Sequence, residues 1–229
     1  MKHAPRKHTA VMRGTLPLKE QRVLDVGCGS GGLVRFMTRE GARVTGLDTS
    51  EKQLARARDA DGAGDEDYIS GVAEDLPFEA GIFDAVVFFN SLHHVPVEHQ
   101  ATALREALRV LRSGGEIYVL EPLAEGAFFE MMRPIEDETD VRASAYEALL
   151  NAANTSGVCE HRELSYEAPL SYESFEACRN EMIAVDESRR PAIEAQGDNL
   201  RIAFESAAEF EEGAYRFASP SRLNLLRKA

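Results

Sequence analysis

Cysteine is scarce in this chain of 229 residues: Cys28, Cys159 and Cys178 are widely spaced and form no CxxC pair. That excludes a disulfide framework or a cysteine zinc site and points to a reducing compartment. Cations are short as well. Twenty-six Lys and Arg stand against 39 Asp and Glu, a formal net charge of −13, so the basic face that a phosphate backbone demands is missing and nucleic acid is not an expected partner. No uninterrupted apolar run is long enough to cross a bilayer, and the basic start MKHAPRKHTAVMRG leads into no apolar stretch of signal-peptide length. The expectation is a soluble cytoplasmic protein, monomer or homodimer, with no membrane partner. Repeats, low-complexity tracts and Gly/Ser linkers are absent too, which with this length and 44% hydrophobic residues favours one domain over 1–229.

What is present is a rhythm. From residue 21 to 122, short β-branched apolar runs alternate with amphipathic stretches, as a doubly wound α/β sheet requires. Strands are predicted at Arg22–Val26, Ala42–Leu47, Tyr68–Val72, Phe83–Phe89 and Glu116–Leu120; their continuous apolarity fits a parallel sheet covered on both faces. Helices fill the gaps. Gly41 ends the first, Ser50 caps the second, and Leu104, Leu108 and Leu111 at i, i+4 and i+7 stripe the third. Beyond Pro122 the rhythm breaks into helical segments (Phe128–Asn154), an extended piece (Cys159–Leu170), a charged helical insertion (about 172–212) and a closing strand (about 214–227). Pro220 in that last strand argues for an edge or a bulge.

The most informative segment is VLDVGCGSGG, Val23–Gly32, where a buried strand runs into glycines at Gly27, Gly29 and Gly31 just before a helix. Glycines permit positive φ and let a ligand lie against backbone. Gly27, Gly29 and Gly32 also satisfy the dinucleotide spacing GxGxxG, so an NAD-dependent oxidoreductase is one reading. Asp25 weighs against it. A carboxylate there repels a pyrophosphate but attracts an ammonium group.

The segment resembles the first motif of the class I S-adenosylmethionine-dependent methyltransferases, acidic-x-Gly-x-Gly-x-Gly, matched by Asp25, Gly27, Gly29 and Gly31 with Cys28 between them. Four more segments follow in order. GLDTS resembles the end of the second strand, implying that Asp48, with Thr49 beside it, holds the ribose hydroxyls. AEDLPF resembles the adenine-binding turn, implying Asp75 or Glu74 as acceptor for the exocyclic amine and Leu76 against the ring through its backbone amide and side chain. FDAVVFFNSLHHV implies Asn90, Ser91 and Leu92 at the methionine end of the cofactor, and LRVLRSGGEIYVLEP closes the core, its Gly114–Gly115 pair structural.

The resemblance implies a mostly parallel seven-stranded sheet of Rossmann-like type: an arm over 1–20, a cofactor core over 21–122, and a substrate or lid region over 123–229. It implies S-adenosylmethionine as cofactor, S-adenosylhomocysteine as product, and an O, N or C nucleophile of a small molecule as acceptor. His93 and His94 are the candidate bases. Neighbours on an extended segment point opposite ways, so one faces the substrate, and His94 is preferred. His99 lies nearby, yet no acidic or cysteine partner completes a ligand set, so no metal is expected. Glu121 could orient a substrate group, and Lys7, His8 and Arg13 could fold the arm over the site toward the methionine carboxylate. A non-catalytic cofactor-binding protein is the remaining alternative.

Overall fold

The computed structural model describes residues 5–229. Contacts divide the chain into two compact units. The larger comprises Thr9–Glu121, Val141–Leu164 and Arg222–Ala229; the smaller comprises Pro122–Asp140 and Ser165–Ser221 with residues 5–8. A unit boundary thus falls at Pro122, but residues 141–164 and 222–229 belong with the cofactor core.

The larger unit is built on a parallel sheet. Strands β1 (Arg22–Val26), β2 (Arg43–Asp48), β3 (Asp67–Ser70), β4 (Phe83–Phe89) and β5 (Leu111–Pro122) come first in sequence, followed by β6 (Val158–Tyr172) and β8 (Ala214–Lys228), each divided between the two units, and β7 (Glu209–Glu211) of the smaller unit. The order is β3-β2-β1-β4-β5-β8-β6, with β7 paired to β8, and the β1–β2, β1–β4, β2–β3 and β4–β5 ladders are parallel. Order reverses between β1 and β4. That is where ligands bind in open α/β sheets, outside the carboxyl ends of the strands.

β1 and β4 have the boundaries expected. β5 begins earlier, at Leu111, because the Gly114–Gly115 pair lies within the strand as a register shift against β4 rather than in a turn before it; a side chain at Gly115 would meet the Asp84 carbonyl at 2.8 Å. Leu111 accordingly belongs to the strand and not to the helical stripe. Helix α4 (Val97–Val110) buries Ala103, Leu104, Ala107 and Val110 instead. These pack with Leu24, Val86, Phe88, Ile117 and Leu226 in one apolar cluster, which also takes Ala145 and Leu149 of α6 (Thr139–Ala153). Burying each such Leu, Ile or Phe contributes about 1.5–3 kcal/mol.

Helix α1 (His8–Thr15) seals Val11 and Met12 completely. Residues 1–4 of the expected arm lie outside the described residues. Of the later arm, Arg13 pairs with Glu40 at 2.6 Å, and within the smaller unit His8 meets the Tyr166 hydroxyl at 2.8 Å.

In the smaller unit, the predicted 172–212 insertion resolves into α7 (Phe175–Val185), α8 (Arg190–Gln196) and α9 (Asp198–Ala207), and its last residues form β7 rather than helix. Phe175, Met182, Ile193, Leu200 and Phe204 of the apolar stripe build this unit's own core with Tyr172 and Phe217, whereas Ile202 and Phe210 are exposed. Pro220 is not on an edge strand, since β8 lies between β5 and β6. The proline has no N–H to give, but its carbonyl accepts from Leu123 at 2.8 Å, so its position costs the ladder one donor only.

Candidate cofactor and methyl-transfer site

The carboxyl end of β1 passes into a loop pinned from below. Leu47 of β2 accepts the N–H groups of both Gly27 and Cys28, at 2.8 and 3.0 Å, and the Ser91 hydroxyl donates to the Val26 carbonyl at 2.6 Å. Gly27, Gly29 and Gly31 all have positive φ. A Cβ on Gly27 would sit 2.6 Å from the Ser91 Cβ, and one on Gly31 would sit 2.5 Å from the Tyr68 hydroxyl, so those two are demanded by packing as well as by backbone. Gly29 differs: nothing stands within 4 Å of its added Cβ, leaving open space against bare backbone. Helix α2 (Gly32–Arg39) starts directly after, with Gly31 as its left-handed N-cap.

Asp25 lies beneath this loop, only 1% exposed, and neither carboxylate oxygen has a hydrogen-bond partner. Its strand neighbour on β2 is Gly46, which offers it no side chain. Burial first, and the Asp48 charge second, push the Asp25 carboxyl up to about 7. An orphaned buried carboxylate is costly unless a cation or donor completes it.

Asp48, at the end of β2, accepts from the Gly29 amide through Oδ2 and from the Ser50 amide through Oδ1, both at 2.8 Å. It therefore ties loop to strand, while each oxygen keeps a second lone pair for a diol. Thr49 is exposed beside it, and Ser50 caps α3 (Glu51–Asp59) by accepting from the Gln53 amide.

The 73–78 turn carries Asp75 exposed and Glu74 half-buried, both accessible to an adenine amine. Leu76 requires a correction. Its amide donates to Glu106 Oε2 at 3.1 Å and its side chain belongs to the apolar cluster, so it has neither left for a ring. Arg109 completes the brace by donating to the carbonyls of Leu76 and Phe78 and to Glu106. This Glu106–Arg109 brace has no local sequence signal, because its targets lie about thirty residues away.

Three further expectations change. Cys28 gives its amide to Leu47 and tucks its thiol between loop and sheet, where burial raises its pKa; it fills space rather than touching a ligand. The Ser91 hydroxyl is consumed by the Val26 carbonyl. Leu92 is wholly buried and gives its amide to Glu121 Oε1 at 2.9 Å. Of that trio, Asn90 alone is exposed, held with φ +53° at the end of β4.

The two histidines sit on a 3-10 turn, Leu92–His94, rather than an extended segment. Their rings are therefore 4.0 Å apart and tilted by 43°, not opposed. His93 is buried, and its Nδ1 bonds Glu121 Oε2; His94 is exposed. Glu121 thus holds the turn twice, through a backbone amide and through an imidazole.

A sulfonium nucleoside bearing an amino-acid tail fits these groups: Asp25 lacks a cation, Gly29 offers open backbone, and Asp48 and Asp75 present further acceptors. The chain is similar to known proteins of that kind. Residues 24–119 match the family model described as methyltransferase domain. The 27-O-demethylrifamycin SV methyltransferase of Amycolatopsis mediterranei is 36% identical over 146 residues, 61% of this chain and 51% of that protein. The sarcosine/dimethylglycine N-methyltransferase of Halorhodospira halochloris is 36% identical over 121 residues, 50% of this chain and 43% of that protein. The chain thus spans about half the length of these relatives. Among solved structures, the YcgJ protein of Bacillus subtilis superposes with a TM-score of 0.64 at 17% identity, covering 95% of this chain and 96% of that one, a likeness of fold. Residues 24–119 of this chain thus match a methyltransferase domain, and on that match rests its likeness to the class I, S-adenosylmethionine-dependent type.

Proposed function

We propose that the protein transfers a methyl group from S-adenosylmethionine to an O, N or C nucleophile of a small-molecule acceptor, releasing S-adenosylhomocysteine. The observation that carries the reading is the unpartnered carboxylate of Asp25 beneath the open Gly29 backbone. In this reading Asp25 receives the ligand's ammonium group, Asp48 the ribose hydroxyls, and Asp75, with Glu74 as the alternative, the adenine amine. The relatives named above methylate an oxygen and a nitrogen by name, which supports a small acceptor without choosing its atom.

The bound sulfonium supplies a methyl group that is already activated, so the chain has mainly to align reactants and exclude water. Alignment alone can remove about 7–11 kcal/mol of barrier in favourable cases. Glu121 fixes the His93 ring and the Leu92 amide, and so sets where the exposed His94 imidazole stands. An exposed imidazole nitrogen is a base, which suits His94 to accept the proton that an attacking hydroxyl or amine must lose.

The test is transfer of labelled methyl from S-adenosylmethionine to a metabolite panel, run beside calorimetric binding of S-adenosylhomocysteine. Binding with turnover is expected. Binding with no acceptor across the panel would leave a cofactor-binding protein without catalysis, and stabilisation by NAD alone would return the oxidoreductase reading.

A further inference from the structure

Far from the glycine loop, at the amino ends of β1 to β4, the larger unit has a second concavity of about 340 Å³. Its lining includes Arg22, Arg43, Asp65, Asp67, Phe78 and Phe83. The volume falls within the range of small-ligand sites, and Arg22, Arg43, Asp65, Asp67 and Phe83 sit at or just before the start of a strand, whereas Asp25, Asp48 and Asn90 sit at or near strand ends.

The charges here are only partly balanced: the Arg22 charge helps hold the Asp84 carboxyl below its ordinary value, without a direct ion pair. Arg22 and Arg43 are direct partners in the parallel β1–β2 ladder, so their side chains leave the same face of the sheet as neighbours. Like charges placed so are destabilising. Yet no carboxylate lies within ion-pair distance of either guanidinium among the described residues; Asp84, the acid nearest in the ladder, bonds the Arg22 amide and the Arg112 side chain instead. Asp67 pairs with Thr45, which shares a face with Arg43, so a carboxylate stands across the same surface. The apolar wall is set: Phe78 and Phe83 meet edge to face at 4.9 Å, and Arg109 holds the Phe78 carbonyl at 2.7 Å.

We propose that this groove is a second ligand site, distinct from the methyl-transfer site although Phe78 belongs to the 73–78 turn, for a small aromatic acid that also bears an N–H donor. The acid's carboxylate bridges the Arg22 and Arg43 guanidinium groups, its ring packs on Phe78 and Phe83, and its donor faces Asp65 and Asp67. Paired guanidiniums suit a planar carboxylate because each offers a two-pronged donor set. The two aspartates select against larger polyanions.

The probes are 4-aminobenzoate and indole-3-acetate, titrated calorimetrically into protein saturated with S-adenosylhomocysteine, with Arg43→Gln and aniline as controls. Arg43 is exposed, so its replacement leaves the fold intact, and unchanged thermal unfolding of the variant checks this. Saturable one-to-one binding of at least one probe is expected, roughly tenfold weaker in Arg43→Gln, with aniline, which lacks the carboxylate, weaker by a similar factor. The site is refuted if neither probe saturates, if Arg43→Gln binds as the wild type does, or if S-adenosylhomocysteine displaces the probe. The assay stands apart from the methyltransferase reading, since failure of S-adenosylhomocysteine to bind leaves the probe titration interpretable.

Discussion

At the scale of single residues, Asp25 is the group most out of balance. Its carboxyl titrates near 3.8 when the chain is unfolded and at about 7 when it is folded without ligand. A folded-state value raised in this way means that the residue's contribution to stability is complete below about pH 4 and is lost as pH climbs toward 7. Asp25→Asn, which cannot ionise, should therefore unfold at a higher temperature than the wild type at pH 8 and lose most of that advantage at pH 5; parallel melting curves at both would contradict the assignment. The same variant should bind S-adenosylhomocysteine poorly. In the wild type, a ligand ammonium selects the ionised carboxylate, so affinity should rise between pH 6 and 8 with proton release, measurable by calorimetry in buffers of different ionisation enthalpy. Asp48→Ala removes the acceptor for the Gly29 and Ser50 amides along with the proposed ribose contacts. It should weaken cofactor binding by about 1.5–3 kcal/mol, the range for hydrogen bonds to a charged group, and lower the melting temperature in the same sample. Unchanged affinity would dismiss the ribose role. For the histidines the directions differ: His94→Ala should cut turnover by about 10²–10⁴-fold, the usual range for a general base, with cofactor affinity nearly intact. His93→Ala opens the core beside Glu121 and should cost stability first.

At the scale of elements, the legible parts were those whose signal is local. Alternating glycines after β1, the Ser50 cap and the apolar runs of β1 and β4 declare themselves within a few residues, and the fold places them as expected. What could not be read depends on distant partners. Leu76 and Leu92 look available to a ligand until Glu106 and Glu121 take their amides, and Ser91 until the Val26 carbonyl takes its hydroxyl. Pro220 reads as an edge or bulge signal because the rule concerns a missing donor, yet β8 is an interior strand and the Pro220 carbonyl still serves Leu123. The stripe in the 172–212 insertion is mostly core, and only the three-dimensional partners Tyr172 and Phe217 reveal that. The Glu106–Arg109 brace is itself testable. Arg109→Leu frees the carbonyls of Leu76 and Phe78 together, so the 73–78 turn should loosen, shown by faster amide hydrogen exchange there, and cofactor affinity should fall while affinity for the ribose fragment alone holds. Unaltered exchange in that turn would mean the brace is redundant.

At the scale of the whole molecule, stability and ligand binding are linked through the same strand ends. The chain leaves a buried carboxylate unsatisfied and a stretch of backbone uncovered at the switch point of its sheet, which are costs borne in the ligand-free state. A ligand that supplies a cation and hydroxyl donors relieves them, so its stabilising effect should exceed that of an adenine nucleotide lacking the amino-acid tail. At a concentration about one hundred times its Kd a ligand adds about 2.7 kcal/mol, which for a chain of this length raises the melting temperature by roughly 5–10 °C. S-adenosylhomocysteine should reach that shift, adenosine should fall well short at the same concentration, and NAD should give none. The ordering matters more than the size, because it isolates the tail from the purine. If adenosine stabilised as strongly as S-adenosylhomocysteine, the Asp25 carboxylate would have no part in recognition, and its burial would have to be explained by something other than a ligand's ammonium group.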